Sequence, residues 1–176
     1  DVKAGGQGAP LLPLYHQARV KSGGIKLPVA IVNIGGVANV TYIDKDNLIA
    51  FDTGPGNALM DDWVRVRTGA KFDEDGKLAR AGHCADHLLD EWYAHAYFKQ
   101  KPPKSLDRNE WDIAAFGRLA GDMNALSPED GAATLMVFTA HTIMMAMQHM
   151  PNKPKAWYMC GGGRHNKMLM DYLRAH

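Results

Sequence analysis

Cysteine is scarce in this sequence: only Cys84 and Cys160 occur in 176 residues. Two distant thiols give no disulfide framework, and a reducing, cytoplasmic setting is the expectation. An excess of one charge is also missing. Lys and Arg total 20 against 19 Asp and Glu, a net charge of +1. That balance points to neither nucleic acid nor anionic membrane, and no basic–aromatic cluster suggests a nucleic-acid face. No apolar run approaches the roughly 18 residues that span a bilayer. No internal repeat, low-complexity tract, signal-peptide pattern, Walker A loop or dinucleotide fingerprint is present.

What is present can build a core. Hydrophobic residues make up 46% of the chain, and its length suits one domain or a large piece of a two-domain protein. The first residue is Asp1 and "AGGQGAP" follows at once, while the last residues, "MLMDYLRAH", read as helix. A piece of a longer chain, cut at both ends, is the expectation.

The pattern of residues gives an ordered set of elements. Gly5 to Pro13 reads as a Gly/Pro-rich loop and Leu12–Val20 as a short amphipathic helix closed by Ser22–Gly24. A β-branched apolar run predicts a buried strand at Val29–Asn33. Alternation predicts a second at Ala38–Ile43, a turn follows at Asp44–Asn47, and "LIAFD" is a third strand. A helix is expected from Gly56 to Thr68, with Pro55 near its start. "FDEDGKLARAG" reads as a polar loop leading into short helices, and Ala85–Phe98 as one helix with Leu88, Leu89, Trp92 and Phe98 inward. A short helix is expected near Asn109–Leu119. "SPEDGAATLMVFTAHTIMMAMQHM" is the clearest helix, with Ser127 as N-cap, Pro128 in the first position and acidic residues in the first turn. Its apolar surface predicts burial. "KAWYMC" is a strand, and "RHNKMLMDYLRA" a closing helix. A meander of three strands followed by helices and a further strand predicts a mixed α/β domain.

Three glycine-rich turns directly follow apolar strands: Asn33–Gly36, Asp52–Asn57 and Cys160–Gly163. Glycine lets backbone N–H groups approach a phosphate closely, and the second and third turns precede helices, whose N-termini favour anions. Glycine also simply closes turns and caps helices. Strand ends sharing one sheet edge are where ligands gather in α/β proteins. Asp52 has two readings. It can shape its Gly-Pro turn by bonding nearby N–H groups, or it can be a general base between a phosphate donor and an acceptor hydroxyl or water.

The ordered motifs "GGQGAPLLPLYH", "NIGGVANV", "FDTGPGNALMDDW", "FDEDGKLARAG", "PPKS" and "CGGGRHNKMLM" together resemble the anhydro-N-acetylmuramic acid kinases. That family belongs to the sugar kinase, Hsp70 and actin superfamily. The resemblance implies an incomplete ribonuclease H-like actin/sugar-kinase ATPase lobe occupying residues 1–176. It also implies a cell-wall recycling enzyme that uses ATP and Mg²⁺ on an amino sugar. The enzyme opens the anhydro bridge with water and phosphorylates O6. The family's catalytic base matches Asp52. Asn33, Gly35 and Gly36 resemble a phosphate-contacting turn; Gly161, Gly162 and Gly163, with Asn166, resemble the adenosine motif. Gly6, Gln7 and Gly8 (after Gly5), and Gly54, Gly56 and Asn57, match substrate or cleft loops.

The resemblance also marks what is not here. The family's "GTS-x-DG" loop, its "DFR" segment and its last motifs do not occur in these residues, so the stretch alone is expected to be inactive. "PPKS" continues as "LDRNEW" where "TGRE" is expected, so no family role is carried over to Arg108 or Glu110. A homodimer is expected from the sugar-kinase resemblance. A kinase of another sugar, and an actin- or Hsp70-like ATPase switch, remain alternatives.

Other clusters have plainer readings. His83, Cys84, Asp86 and His87 have a zinc-like spacing but no second ligand cluster, so no metal site is assigned. The Met-rich stretch from Leu135 to Met150 reads as core, with His141 as a hydrogen-bonded core histidine. "KQKPPKS" reads as a solvated loop, and Cys160 as a small buried hydrophobe.

Overall fold

A computed structural model describes Lys3, residues 10–107 and residues 123–176. Gly5, Gly6, Gln7, Gly8, Arg108, Glu110 and the helix expected at 109–119 lie outside the described residues. The chain runs α1 (Pro13–Ser22), β1 (Val29–Ile34), β2 (Val37–Ile43), β3 (Leu48–Pro55) and α2 (Asn57–Thr68). A 3₁₀ turn at Glu74–Gly76 leads to α3 (Lys77–Ala81), α4 (Asp86–Tyr93) and α5 (Ala96–Lys99). Then come α6 (Pro128–Met145), β4 (Ala156–Cys160) and α7 (Lys167–Ala175). The sheet order is β3-β2-β1-β4. The meander is antiparallel, and β4 lies parallel to β1. This is the expected mixed α/β architecture, consistent with a sugar-kinase ATPase lobe.

Strand alternation sorts side chains onto two faces. Ala30, Val32 and Ile34 of β1, Ala38 and Val40 of β2, and Phe51 of β3 join the main core with Leu59, Trp63, Leu135 and Phe138. The other face carries a smaller cluster in which Val20 of α1 meets Val29 and Ile43. There Thr41 on β2 is hydrogen-bonded to His16 of α1 (Oγ1 to Nδ1, 2.8 Å). α1 is less amphipathic than its sequence suggests. It buries only His16 and Val20, while Leu11, Leu12, Leu14 and Tyr15 stay exposed.

α6 is the central helix, packed against α2, α3 and β3. Every residue from Gly131 to Ala140 is buried, as expected of a helix apolar on all sides. Ser127 caps it: its Oγ accepts the Asp130 N–H at 3.0 Å. Ser127→Ala is expected to cost about 1 kcal/mol, read as a lower urea midpoint with an unchanged m-value.

Three further elements differ from expectation. The Ala85–Phe98 helix breaks into α4 and α5, because His95 is extended (φ −56°, ψ 139°) and its ring accepts the Tyr97 N–H. Leu88, Leu89, Trp92 and Phe98 are nonetheless buried. The last helix starts at Lys167, after a 3₁₀ turn at Gly162–His165. β3 does not stop at Asp52. It continues to Pro55 because Asp52 and Gly54 pair with Asn39 and Ala38, and Thr53 is left as a bulge, with its hydroxyl on the Ala38 carbonyl (3.2 Å). No helix among the described residues is long and apolar enough to cross a membrane.

Candidate active site

Because β2 is antiparallel to both β1 and β3, and β4 is parallel to β1, β1, β3 and β4 all point the same way. Their carboxyl ends bring the three glycine turns to one sheet edge. The first two turns are directly joined. The N–H groups of Gly56 and Ala58 donate to the Gly36 carbonyl (2.9 and 3.2 Å), and that of Asn57 donates to Gly35 (2.7 Å). This changes one expectation. The first N–H groups of α2 are held by these carbonyls, so the helix end is not an open anion site.

The third turn rests on the first. Gly161 has φ 78°, and a Cβ there would stand 2.5 Å from the Ile34 carbonyl oxygen and 2.7 Å from Asn33 Oδ1. The Asn57 side chain bonds the Ile34 carbonyl at 3.4 Å. Two glycines are different: at Gly35 and Gly162 a Cβ would meet nothing nearer than 3.5 and 3.8 Å. A Cβ would therefore fit at these two positions at ordinary contact distance, although the Gly35 N–H itself donates to the Val37 carbonyl (3.2 Å). Gly54 faces inward, with its missing Cβ 2.8 Å from Thr142 Oγ1 of α6. Asn166 caps α7, accepting the Leu169 N–H at 3.0 Å. It also lines a pocket of about 450 Å³ with Asn57, Phe72, Glu74, Gly162 and Gly163.

Register places a row of polar side chains across the sheet. Asp52 pairs with Asn39, Asn39 with Asn33, and Asn33 with Cys160. All four lie on the face opposite the main core. The Asp52 N–H donates to the Lys104 carbonyl (3.2 Å), and the Asp52 carbonyl accepts the Tyr97 hydroxyl. Both backbone groups thus point away from β2. This makes Asp52–Asn39 a non-hydrogen-bonded pair, the kind whose side chains stand closest.

Asp52 is 4% exposed. Its Oδ2 accepts the Leu106 N–H at 2.8 Å, while Oδ1 has no partner among the described residues. Burial pushes the carboxyl above its ordinary value, and the Leu106 N–H pulls it back. That restraint comes from the 104–106 segment.

Four neighbours of Asp52 were not singled out in the sequence: Asn39, Tyr97, Lys104 and Leu106. Asn39 carried a signal, since alternation puts it opposite Val40 on the face of Asp52. The other three reach Asp52 from 45 to 54 residues away, and Leu106 acts through its backbone, so local pattern is silent on them.

The remaining clusters have structural partners. His141 bonds Tyr93 (2.7 Å) and Tyr172 (2.8 Å) through its two ring nitrogens, hydrogen-bonded as expected but half-buried rather than in the core. Burial pushes the Cys84 thiol up to about 12, and the His83 N–H donates to Asp130 at 2.7 Å. Cys160 is half-buried, not fully buried as expected, and its Sγ lies 3.3 Å from the Val32 carbonyl. Strand β4 is the sheet's edge, which leaves this thiol partly open. Among the described residues no three His, Cys, Asp or Glu side chains gather as a metal cage. Mg²⁺ requires none, since it keeps waters and binds through one or two carboxylates and substrate phosphates. Carboxylates are present for that mode: Asp61, Glu74 and Asp75 line the pocket beside Gly162 and Gly163.

Comparison with known proteins gives the family. A family model described as anhydro-N-acetylmuramic acid kinase matches residues 1–176. An anhydro-N-acetylmuramic acid kinase of Rhodospirillum rubrum is 49% identical over 175 residues, covering 98% of this chain and 44% of that protein. Proteins of the same name from Paramagnetospirillum magneticum and Zymomonas mobilis are 48% and 45% identical, covering 98% and 99% of this chain and 47% of each relative. The chain therefore spans a little under half the length of these relatives. With the family model matching every residue and the glycine turns and Asp52 meeting at one sheet edge, the chain belongs to the anhydro-N-acetylmuramic acid kinase family.

Proposed function

We propose that the full-length protein is an ATP-dependent kinase acting on 1,6-anhydro-N-acetylmuramic acid in cytoplasmic cell-wall recycling. One observation carries this reading: three glycine turns converge on a single sheet edge, with the Asp52 carboxylate beside them. Phosphoryl transfer asks chiefly for positioning and charge neutralisation, and converging glycine turns with a carboxylate beside them suit that demand.

In this reading Asp52 Oδ1 takes a proton from water as the water oxygen bonds to the anomeric carbon. The bond from that carbon to O6 breaks, O6 bonds to the γ-phosphorus, and ADP leaves with the electrons of the β–γ bridge. The products are N-acetylmuramic acid 6-phosphate and ADP. Mg²⁺ would neutralise phosphate charge, held by the phosphates and one carboxylate at most. Asn33, Gly35 and Gly36 would line the phosphates, and Gly161, Gly162 and Gly163 the adenosine. The pocket bounded by Asn57, Phe72, Glu74 and Asn166 would take the nucleoside. Gly56 would keep the two turns in contact, Gly54 would seat β3 on α6, and Gly6, Gln7 and Gly8 would approach the sugar.

The test is a coupled ADP-release assay on the full-length enzyme with ATP, Mg²⁺ and the anhydro sugar. ADP release that requires the sugar is the expected result. Release with another sugar alone would replace the substrate. Sugar-independent hydrolysis would indicate an actin- or Hsp70-like switch.

A further inference from the structure

Lys104 is an unusual buried cation. It is 5% exposed, and among the described residues no carboxylate pairs with it. Its Nζ donates to the Tyr97 carbonyl at 3.3 Å. It lies 4.5 Å from the Tyr97 ring centroid and 5.7 Å from that of Phe51. Burial lowers its pKa. A buried ammonium is costly unless well bonded, and an apolar chain of similar length would fill the same space. Stability alone does not account for it.

Its neighbours suggest what does. Tyr97 holds the Asp52 carbonyl through its hydroxyl. Lys104 holds the Asp52 N–H through its carbonyl. Two residues further, Leu106 holds Asp52 Oδ2. The ammonium links the two ends of this strap by binding Tyr97 from within the Lys104–Leu106 segment. We propose that Lys104 is a positioning residue for Asp52: its ammonium locks the 97–106 strap so that the Leu106 N–H stays on Oδ2 and Oδ1 stays aimed at the reacting water.

The role of Oδ1 rests on the kinase reading; the lock itself does not. Among the described residues the titratable groups around Asp52 and the strap are Tyr97, Lys104, Cys160 in the Asp52 row, His16 above Thr41, and His149, which packs against Phe51 on the other side of β3 and whose pKa burial and then the Lys104 and Lys101 charges lower. Lys104→Met keeps the side chain's length and removes the charge. In the full-length enzyme it is expected to lower kcat about 10- to 100-fold, the scale of a small misplacement of a reacting group, with KM for both substrates within about twofold. A loosened Leu106 N–H no longer restrains the carboxyl, so the acidic limb of the kcat–pH profile moves to higher pH.

A second readout needs no turnover. In protein labelled with ¹³C at aspartate carboxyls, with Asp52→Asn identifying the resonance, the Asp52 titration is expected to shift upward in Lys104→Met. An unmoved titration in a folded variant overturns the proposal whatever the assay shows. A kcat loss that follows a fall in folded fraction, with the pH limb unmoved, also overturns it. Wild-type enzyme without sugar-dependent turnover would reject the kinase reading, and the titration would still decide the role of Lys104.

Discussion

Asp52→Asn in the full-length enzyme is expected to reduce sugar-dependent ADP release by roughly 10³-fold, within the range removed with a general base, while the fold stays at least as stable. The two effects have one cause. Asp52 is buried, and burial raises its pKa. A carboxyl whose folded pKa exceeds its unfolded one binds its proton more tightly when folded. Its stabilising effect is complete below the unfolded value and is lost as pH rises through the folded one. At neutral pH the enzyme therefore carries an ionised carboxylate that burial disfavours. Asparagine keeps an oxygen to accept the Leu106 N–H and has no charge to bury. Thermal unfolding at neutral pH should show a midpoint equal to or above wild type, and the gain should shrink as pH falls and the wild-type carboxyl gains its proton. Activity runs the opposite way: wild-type kcat should rise with pH through the raised pKa, as a base must be unprotonated to act. A variant that keeps wild-type turnover would show that Asp52 only shapes its strand. A variant that loses turnover by unfolding would show that its charge is needed for the fold.

The fold was largely legible because its signals are local. β-branched runs mark β1 and β2, the Asp44–Asn47 turn joins the meander, and Ser127 and Pro128 mark the start of α6. The edge where the turns meet also followed, since each turn comes after a strand. The failures arise where distant contacts override local pattern. Asp52 to Pro55 read as a turn from composition, but pairing with Ala38 and Asn39 holds them in β3. The 85–98 segment has helical period throughout, but the His95 ring caps Tyr97 and splits it. The α2 terminus looked like an anion site because the sequence does not show that Gly35 and Gly36 carbonyls occupy its N–H groups. Lys104 read as part of a solvated loop, since its aromatic surroundings come from Phe51 and Tyr97.

Glycine identity could not separate glycines that the fold needs from glycines that a ligand needs, and two substitutions can. At Gly56 an added Cβ would fall onto the Gly35 carbonyl oxygen and stand 3.0 Å from Val37 C and 3.1 Å from Ala38 N. All three are backbone atoms, so no side chain can swing aside. Gly56→Ala must push the two turns apart and weaken the bonds from Gly56, Asn57 and Ala58 to Gly35 and Gly36. Overpacking and lost hydrogen bonds together are expected to cost roughly 3 kcal/mol or more, read as a large drop in the urea midpoint of the full-length protein. Gly162 is the counterpart. It has no strained φ, and its nearest neighbour to an added Cβ is Asn57 Nδ2 at 3.8 Å. Gly162→Ala should leave stability within about 0.5 kcal/mol of wild type. If the open backbone at Gly162 lies against the nucleotide, the added methyl group takes the ligand's place, and ATP affinity measured by calorimetry should fall about tenfold or more, a loss of roughly 1.4 kcal/mol. Unchanged affinity in a stable Gly162→Ala protein would remove the third turn from the nucleotide site, and a stable Gly56→Ala protein would mean that the first two turns are not joined as tightly as their hydrogen bonds imply.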